Sequence, residues 1–89
     1  MTMKVQFLKS FEKDLTKVPA PVRHKLVDLI DRLEKAGSIR EIGQVKKLHG
    51  PGHAYRIRIG NYRLGIFVEG DLVQLARLLD RKDIYRIFP

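Results

Sequence analysis

Tyr55-Arg56-Ile57-Arg58-Ile59-Gly60-Asn61-Tyr62-Arg63-Leu64 reads as two strands joined by a two-residue turn. Apolar and basic residues alternate with period two before the turn, and Gly60-Asn61 is a hairpin signal. The turn fixes a register: Ile59 opposite Tyr62, Ile57 opposite Leu64, Tyr55 opposite Ile66. These six side chains share one face and predict a core. On the other face Arg58 lies directly opposite Arg63, and Arg56 lies opposite Gly65. Like charges directly opposed across strands destabilise a hairpin. An anion between them removes that cost, and the planar donor fork of guanidinium suits phosphate. The bland reading is three arginines that keep a sheet face soluble. A merely soluble face ordinarily mixes signs, and this one carries no acid.

Working outward, residues 62–68 form the second strand of the hairpin. Glu69-Gly70-Asp71 turns the chain again through a loop of two or three residues. Leu72 to Leu79 then makes a further strand carrying Gln74 and Arg77. Upstream, Lys4 to Leu8 reads as a short strand with Val5 and Phe7 alternating against polar neighbours. Ser10 is placed to cap a short helix with Phe11, Leu15 and Val18 on one face. Pro19-Ala20-Pro21 stops it, and Pro21 suits the opening turn of a second helix that runs to about Lys35. Val22, Leu26, Leu29, Ile30 and Leu33 form its apolar stripe, and Gly37 is the expected C′ residue. Residues 38–45 read as irregular chain or a helical turn, and 49–53 as a loop. The tail from Asp80 to Pro89 allows a helical turn. The predicted fold is a single α+β domain over 1–89, in the order β-α-α-β-β-β. It is a twisted antiparallel sheet with two N-terminal helices packed on one face and the other face free.

The chain has 89 residues, and its 18 Lys and Arg against 10 Asp and Glu give a net charge of +8. Such a balance suggests a polyanionic partner. No acid occurs between Glu41 and Glu69, whereas Lys46, Lys47, Arg56, Arg58 and Arg63 all do. Apolar stretches are too short to span a membrane, and no signal-peptide h-region opens the chain. There is no cysteine, so neither a disulfide framework nor a thiolate metal site is expected, and a cytoplasmic protein is the default. His49 and His53 cannot form a helical zinc pair across Gly50-Pro51-Gly52, and no third ligand lies nearby. No metal and no small-molecule cofactor is expected.

The run from Tyr55 to Leu64, together with Arg81-Lys82-Asp83-Ile84-Tyr85-Arg86, resembles the RelE/ParE toxin superfamily, most closely its RelE-like branch. Lys46-Lys47-Leu48 fits the usual lead-in of that family, and the likeness extends over nearly the whole chain. The resemblance implies a twisted antiparallel sheet backed by two helices. It also implies the toxin of a type II toxin–antitoxin pair, which enters the ribosomal A site and cleaves mRNA without metal. Carried over by position, the family's catalytic basic residues fall on Arg56, Arg58, Arg63 and Arg81, and its catalytic tyrosine on Tyr85. Lys46, Lys47, Arg77, Lys82 and Arg86 are the expected RNA-binding cations around them. The implied partners are ribosome, mRNA and a cognate antitoxin with an acidic, helical C-terminal segment.

Cleavage by the RNA's own 2′-OH needs a base, positive charge for the transition state and an acid for the leaving 5′-oxygen. Arg63 and Arg81 fit the charge role, and Tyr85 can stack or orient the nucleotide or serve as the acid. In the best-known members lysines stand at the positions of Arg56 and Arg58, and arginine does not readily give up a proton. Many relatives carry a histidine just before the arginine at 81, where this chain has Asp80. Asp80 is therefore a candidate base, with His49 and His53 as the others. An ion pair of Asp80 with Arg77 or Arg81 would instead mute the site. Two alternatives stay open: a ParE-like inhibitor of DNA gyrase without nuclease chemistry, and an RNA-binding relative with weakened catalysis.

Overall fold

The β3–β4 hairpin holds the register that its sequence dictates. In the computed structural model, which describes residues 2–50 and 52–89, β3 (Ala54–Ile59) pairs with β4 (Tyr62–Glu69). Ile59 faces Tyr62, Ile57 faces Leu64, Tyr55 faces Ile66, and Arg58 faces Arg63. Gly60 has a φ of 58° while Asn61 stays out of the left-handed region, the pattern of a type II′ turn that demands glycine first. Gly70, at φ 59°, makes the next turn with Asp71, so the β4–β5 loop has two residues.

β5 (Leu72–Asp80) is antiparallel to β4 but not in perfect register. Ile66 pairs with Leu75 and Gly65 with Arg77, leaving Ala76 as the extra residue of a bulge. The bulge changes which residues face the core. Val73, Leu75 and Leu78 all point inward, and Arg77 and Leu79 turn to the face that carries the arginines. Without it, the period of two would have driven Arg77 into the core.

The complete sheet has five strands in the order β1-β5-β4-β3-β2. β1 (Lys4–Phe7) lies on the far edge and runs parallel to β5, so the sheet is mixed rather than wholly antiparallel. Strand direction at that edge depends on where two intervening helices return the chain, which a period of two does not encode. β2 (Val45–Lys47) adds an antiparallel edge strand beside β3, starting at the end of the stretch 38–45 that reads as irregular chain or a helical turn. Three residues with one apolar side chain are too few to display alternation. Met1 and Pro51, the latter within the loop expected over 49–53, lie outside the described residues.

α2 (Ala20–Lys35) lays Leu26, Leu29 and Leu33 onto the sheet, with Val22 and Ile30 at the margin, as its apolar stripe predicts. Gly37 does not close it in a left-handed cap. Instead Ala36 is extended and buried, and the amides of Gly37 and Ser38 donate to Glu41 Oε2 at 2.8 and 3.1 Å. That carboxylate closes a capping box on a turn of 3-10 helix at Ile39–Glu41.

α1 (Lys9–Leu15) starts with Leu8, not Ser10, at its N-cap. Ser10 Oγ donates across the chain to the Ala76 carbonyl at 2.6 Å. β1 covers only the first half of β5, and α1 completes the edge beyond it. Asp14, 6% exposed, accepts from the Leu78 amide at 3.0 Å and from Arg77 Nε at 2.7 Å. A carboxylate thus takes a ladder hydrogen bond that a strand would otherwise supply.

The second face of the sheet is not free. α3 (Arg81–Ile87) folds back over it, burying Ile84 and Phe88 against Ala54 and Ala76, with Phe67, Leu79, Leu8 and Leu48 around them. Phe88 stacks obliquely on Phe67 with ring centroids 5.2 Å apart. Gly65 leaves room for that ring: a Cβ there would lie 2.6 Å from Phe88 Cδ2. The tail sequence shows only Ile84, Ile87 and Phe88 as apolar, too short a run for helical periodicity to stand out. No helix among the described residues is long and apolar enough to cross a membrane.

Candidate functional site

Beyond the apolar patch under α3, the same sheet face becomes basic. Lys46 lies opposite Arg56 across β2–β3, and Arg58 lies opposite Arg63 across β3–β4. Four cations are therefore held in adjacent rows by strand pairing rather than by flexible loops. The nearest acid on this face of β4 is Glu69, at the opposite end of the strand. The repulsion expected of the Arg58–Arg63 pair is partly relieved by Arg63. Its Nη1 donates to the carbonyls of Gly60 and Tyr62 at 3.0 and 2.9 Å, drawing the guanidinium toward the turn. Its other N–H groups remain available to an anion.

α3 brings the remaining site residues to this cluster. The Arg81 amide donates to the Asn61 carbonyl at 2.9 Å, and Asp80 pairs with Tyr62, so the helix begins beside the hairpin turn and Arg63. Arg81 and Tyr85 are four residues apart and share one side of the helix. Tyr85 is 60% exposed, and the Arg56 guanidinium lies over its ring, 4.4 Å from the centroid. This cation–π contact contributes roughly 0.5–1 kcal/mol at an exposed site. It fixes where the ring stands relative to the arginines, and leaves its hydroxyl and open face to solvent.

Asp80 forms no ion pair with Arg77 or Arg81. Its Oδ1 accepts from the Lys82 amide at 2.9 Å, making it the N-cap of α3. Arg77 is committed elsewhere, with Nε and Nη2 on the two carboxylate oxygens of Asp14 at 2.7 and 3.2 Å. The Arg77 guanidinium, expected among the RNA-binding cations, is held in an ion pair with Asp14 and is still 29% exposed. Lys47 lies opposite Tyr55 and so on the helix-backed side of the sheet, away from the arginine rows. Lys82 is exposed on α3, and Arg86 pairs with Asp83 at 3.0 Å. His49 and His53 are exposed in the β2–β3 loop, at the opposite end of β3 from Arg58. Arg58 stands five residue steps along the extended chain from His53, about 16 Å. No group of three His, Asp or Glu that could hold a metal ion occurs among the described residues.

Two features escaped the sequence reading: the Arg56–Tyr85 stack and the Asp14–Arg77 pair. The second had a signal. Asp14 falls on the apolar side of α1, three residues from Phe11, where an acid needs a partner to be buried. The first had none, since it joins residues on separate elements.

The site is a sheet face whose turn end is basic, with a tyrosine-bearing helix folded against it in a small α+β protein. Comparison with known proteins narrows the class. Residues 5–85 match the family described as ParE toxin of type II toxin–antitoxin system, parDE, and the chain belongs to that family. It is 43% identical over 88 residues to Toxin RelE3 of Methanocaldococcus jannaschii, covering 98% of this chain and all of that one. Its fold matches the toxin in the RelB–RelE antitoxin–toxin complex from Methanococcus jannaschii, with a TM-score of 0.82 and 40% identity over 94% of this chain and 99% of that one. The archaeal RelE–RelB complex from Pyrococcus horikoshii matches with a TM-score of 0.74 and 30% identity, over 91% of this chain and 97% of that one. The RelE-like character read in Tyr55–Leu64 and Arg81–Arg86 is thereby borne out, and with it the toxin role in a type II toxin–antitoxin system.

Proposed function

We propose that this toxin is a metal-independent endoribonuclease that cuts mRNA on the ribosome and so halts translation. The observation that carries the proposal is the Arg56 guanidinium lying over the Tyr85 ring. It draws a tyrosine from α3 onto the sheet face that carries Arg58 and Arg63. An RNA phosphate between Arg58, Arg63 and Arg81 meets donors from three sides, and a flanking base can stack on the open face of Tyr85.

In the proposed reaction the 2′-oxygen forms a bond to the adjacent phosphorus as the bond from phosphorus to the 5′-oxygen breaks. The products are a 2′,3′-cyclic phosphate and a 5′-hydroxyl. A base takes the 2′-OH proton, and an acid supplies one to the 5′-oxygen. Arg63 and Arg81 stabilise the charge that grows on the non-bridging oxygens. Asp80 is the better-placed base, because it sits at the hairpin-turn end with Arg63 and Arg81 while the histidines stand at the other end of β3. Its Oδ1 is engaged with the Lys82 amide, and its Oδ2 is free to accept a proton. Tyr85 serves the leaving oxygen or holds the nucleotide. Lys46, Lys82 and Arg86 extend the basic surface along the strand's path.

The proposed partner in the resting state is a cognate antitoxin, in keeping with the RelB-bound state of the two archaeal complexes. An acidic, helical segment complements a net charge of +8. The gyrase-directed alternative draws on the ParE description of the matched family. Mapping of the cleavage ends separates the two: ribosome-bound mRNA treated with the purified toxin should yield 2′,3′-cyclic phosphate ends. An uncut message with inhibited supercoiling would favour the alternative.

A further inference from the structure

The arginine face does not end at the sheet. β2 begins at Val45 and pairs β3 only as far as Ile57, and the Arg58 amide still donates to the Gln44 carbonyl at 3.2 Å, so the edge of β3 is open only from Ile59 to the turn. There a hollow of about 580 Å³ separates β3 from α2. Lys25 and Arg32 reach it from α2 and Arg58 from β3, with Asp28 between the two helix cations and Gly43–Gln44 forming the floor. Lys25 and Arg32 are seven residues apart and thus on one side of the helix. The Lys25 ammonium comes within 3.6 Å of where a Gly60 Cβ would stand, so α2 touches the hairpin turn. None of Lys25, Arg32 or Arg58 makes a side-chain hydrogen bond or ion pair among the described residues, although Asp28 shares the hollow. Gln44 adopts a φ of 60°, a left-handed conformation that is uncommon outside glycine. The resulting sharp bend precedes β2 at the floor of the hollow.

We infer that this hollow is a second phosphate-binding site, which takes a backbone phosphate of the same RNA strand several nucleotides from the one held between Arg58 and Arg63. The inference deepens the nuclease reading and rests on it for the choice of RNA as ligand. Arg58 belongs to both walls, so a strand leaving the arginine face passes round the open edge of β3 directly onto Lys25 and Arg32. A two-site grip of this kind raises affinity with strand length, because the second contact is made within an already bound molecule.

The test uses 2′-O-methyl RNA, which lacks the attacking hydroxyl and so measures binding apart from cleavage. Oligomers of about four and about twelve nucleotides span the range that a short groove accepts. The Lys25→Ala/Arg32→Ala variant should bind the longer RNA about tenfold more weakly, the size of two exposed ion pairs, and the shorter one unchanged. Its salt dependence on the longer RNA should be shallower by about 0.7 in log–log slope, the loss of one phosphate contact. Asp28→Ala should tighten binding of the longer RNA, which guards against a loss caused by damaged folding. Equal affinity of variant and wild type for the longer RNA overturns the proposal, as does an equal loss at both lengths. Unchanged RNA binding with lost affinity for an acidic helical peptide would assign the hollow to a protein partner and overturn it too. Cleavage on the ribosome is scored separately, so the nuclease reading can fail while length-dependent binding holds, or the reverse.

Discussion

Gly65→Ala should loosen α3 from the sheet and disable the site without touching any charged residue. The added Cβ would lie 2.6, 2.7 and 2.8 Å from three atoms of the Phe88 ring. Contacts that short are not tolerated, and a ring cannot bend away as a flexible chain end does. Phe88 is 6% exposed and is held on its other sides by Phe67, Ala54, Ala76 and Ile84. Overpacking of this kind costs about 1–3 kcal/mol. Taking 2 kcal/mol as the middle, a domain of this size should lose about 8–16 °C in Tm. RNA binding should weaken as well, because Arg81 and Tyr85 ride on the displaced helix. Chemical denaturation of Gly65→Ala, Phe88→Ala and the double variant provides the check. Phe88→Ala should cost less in the Gly65→Ala background than alone, with a coupling above about 0.5 kcal/mol. A Gly65→Ala protein that melts with the wild type, or additive losses in the cycle, would refute the packing argument.

Asp14→Ala should be the more destabilising half of the buried pair, by about 1–3 kcal/mol in urea denaturation, because it strands both Arg77 and the Leu78 amide. Arg77→Ala should cost less than Asp14→Ala, since the Arg77 side chain is already 29% exposed. Asp80→Ala should lose the α3 cap at about 1 kcal/mol, whereas Asp80→Asn should retain the cap and the stability. If Asp80 is the base, Asp80→Asn should still abolish cleavage, and full activity in that variant would exclude it. Tyr85→Phe keeps the ring over Arg56 and should bind RNA within about twofold of wild type, whereas Tyr85→Ala should bind more weakly in a fluorescence titration.

The hairpin was legible because a two-residue turn and period-two alternation fix every partner from Tyr55 to Ile66, and the structure pairs them so. The α2 stripe was legible for the same reason at helical period. What stayed hidden depends on contacts distant in sequence. The Ala76 bulge interrupts alternation by a single residue, and it decides that Arg77 meets Asp14 rather than the core. Ser10 looks like a cap, but its hydroxyl serves a carbonyl that lies 66 residues away. Gly37 looks like a helix stop, but α2 ends at an extended Ala36, and the Gly37 amide belongs to the cap that Glu41 makes for the following turn. At the candidate site, Arg56, Arg58 and Arg63 share one sheet face, Tyr85 meets Arg56, and Arg81 begins its helix beside the hairpin turn. Arg77 and Lys47 do not join them: Arg77 lies on the arginine face but its guanidinium is held by Asp14, and strand register turns Lys47 to the other face.

Primer extension on a defined mRNA, with and without ribosomes and with an Arg63→Ala/Arg81→Ala variant alongside, tests the nuclease reading most directly. Cuts in the ribosomal A site that require ribosomes and vanish in the variant are the predicted result. An intact message in the presence of ribosomes, or cuts that persist in the variant, would contradict it.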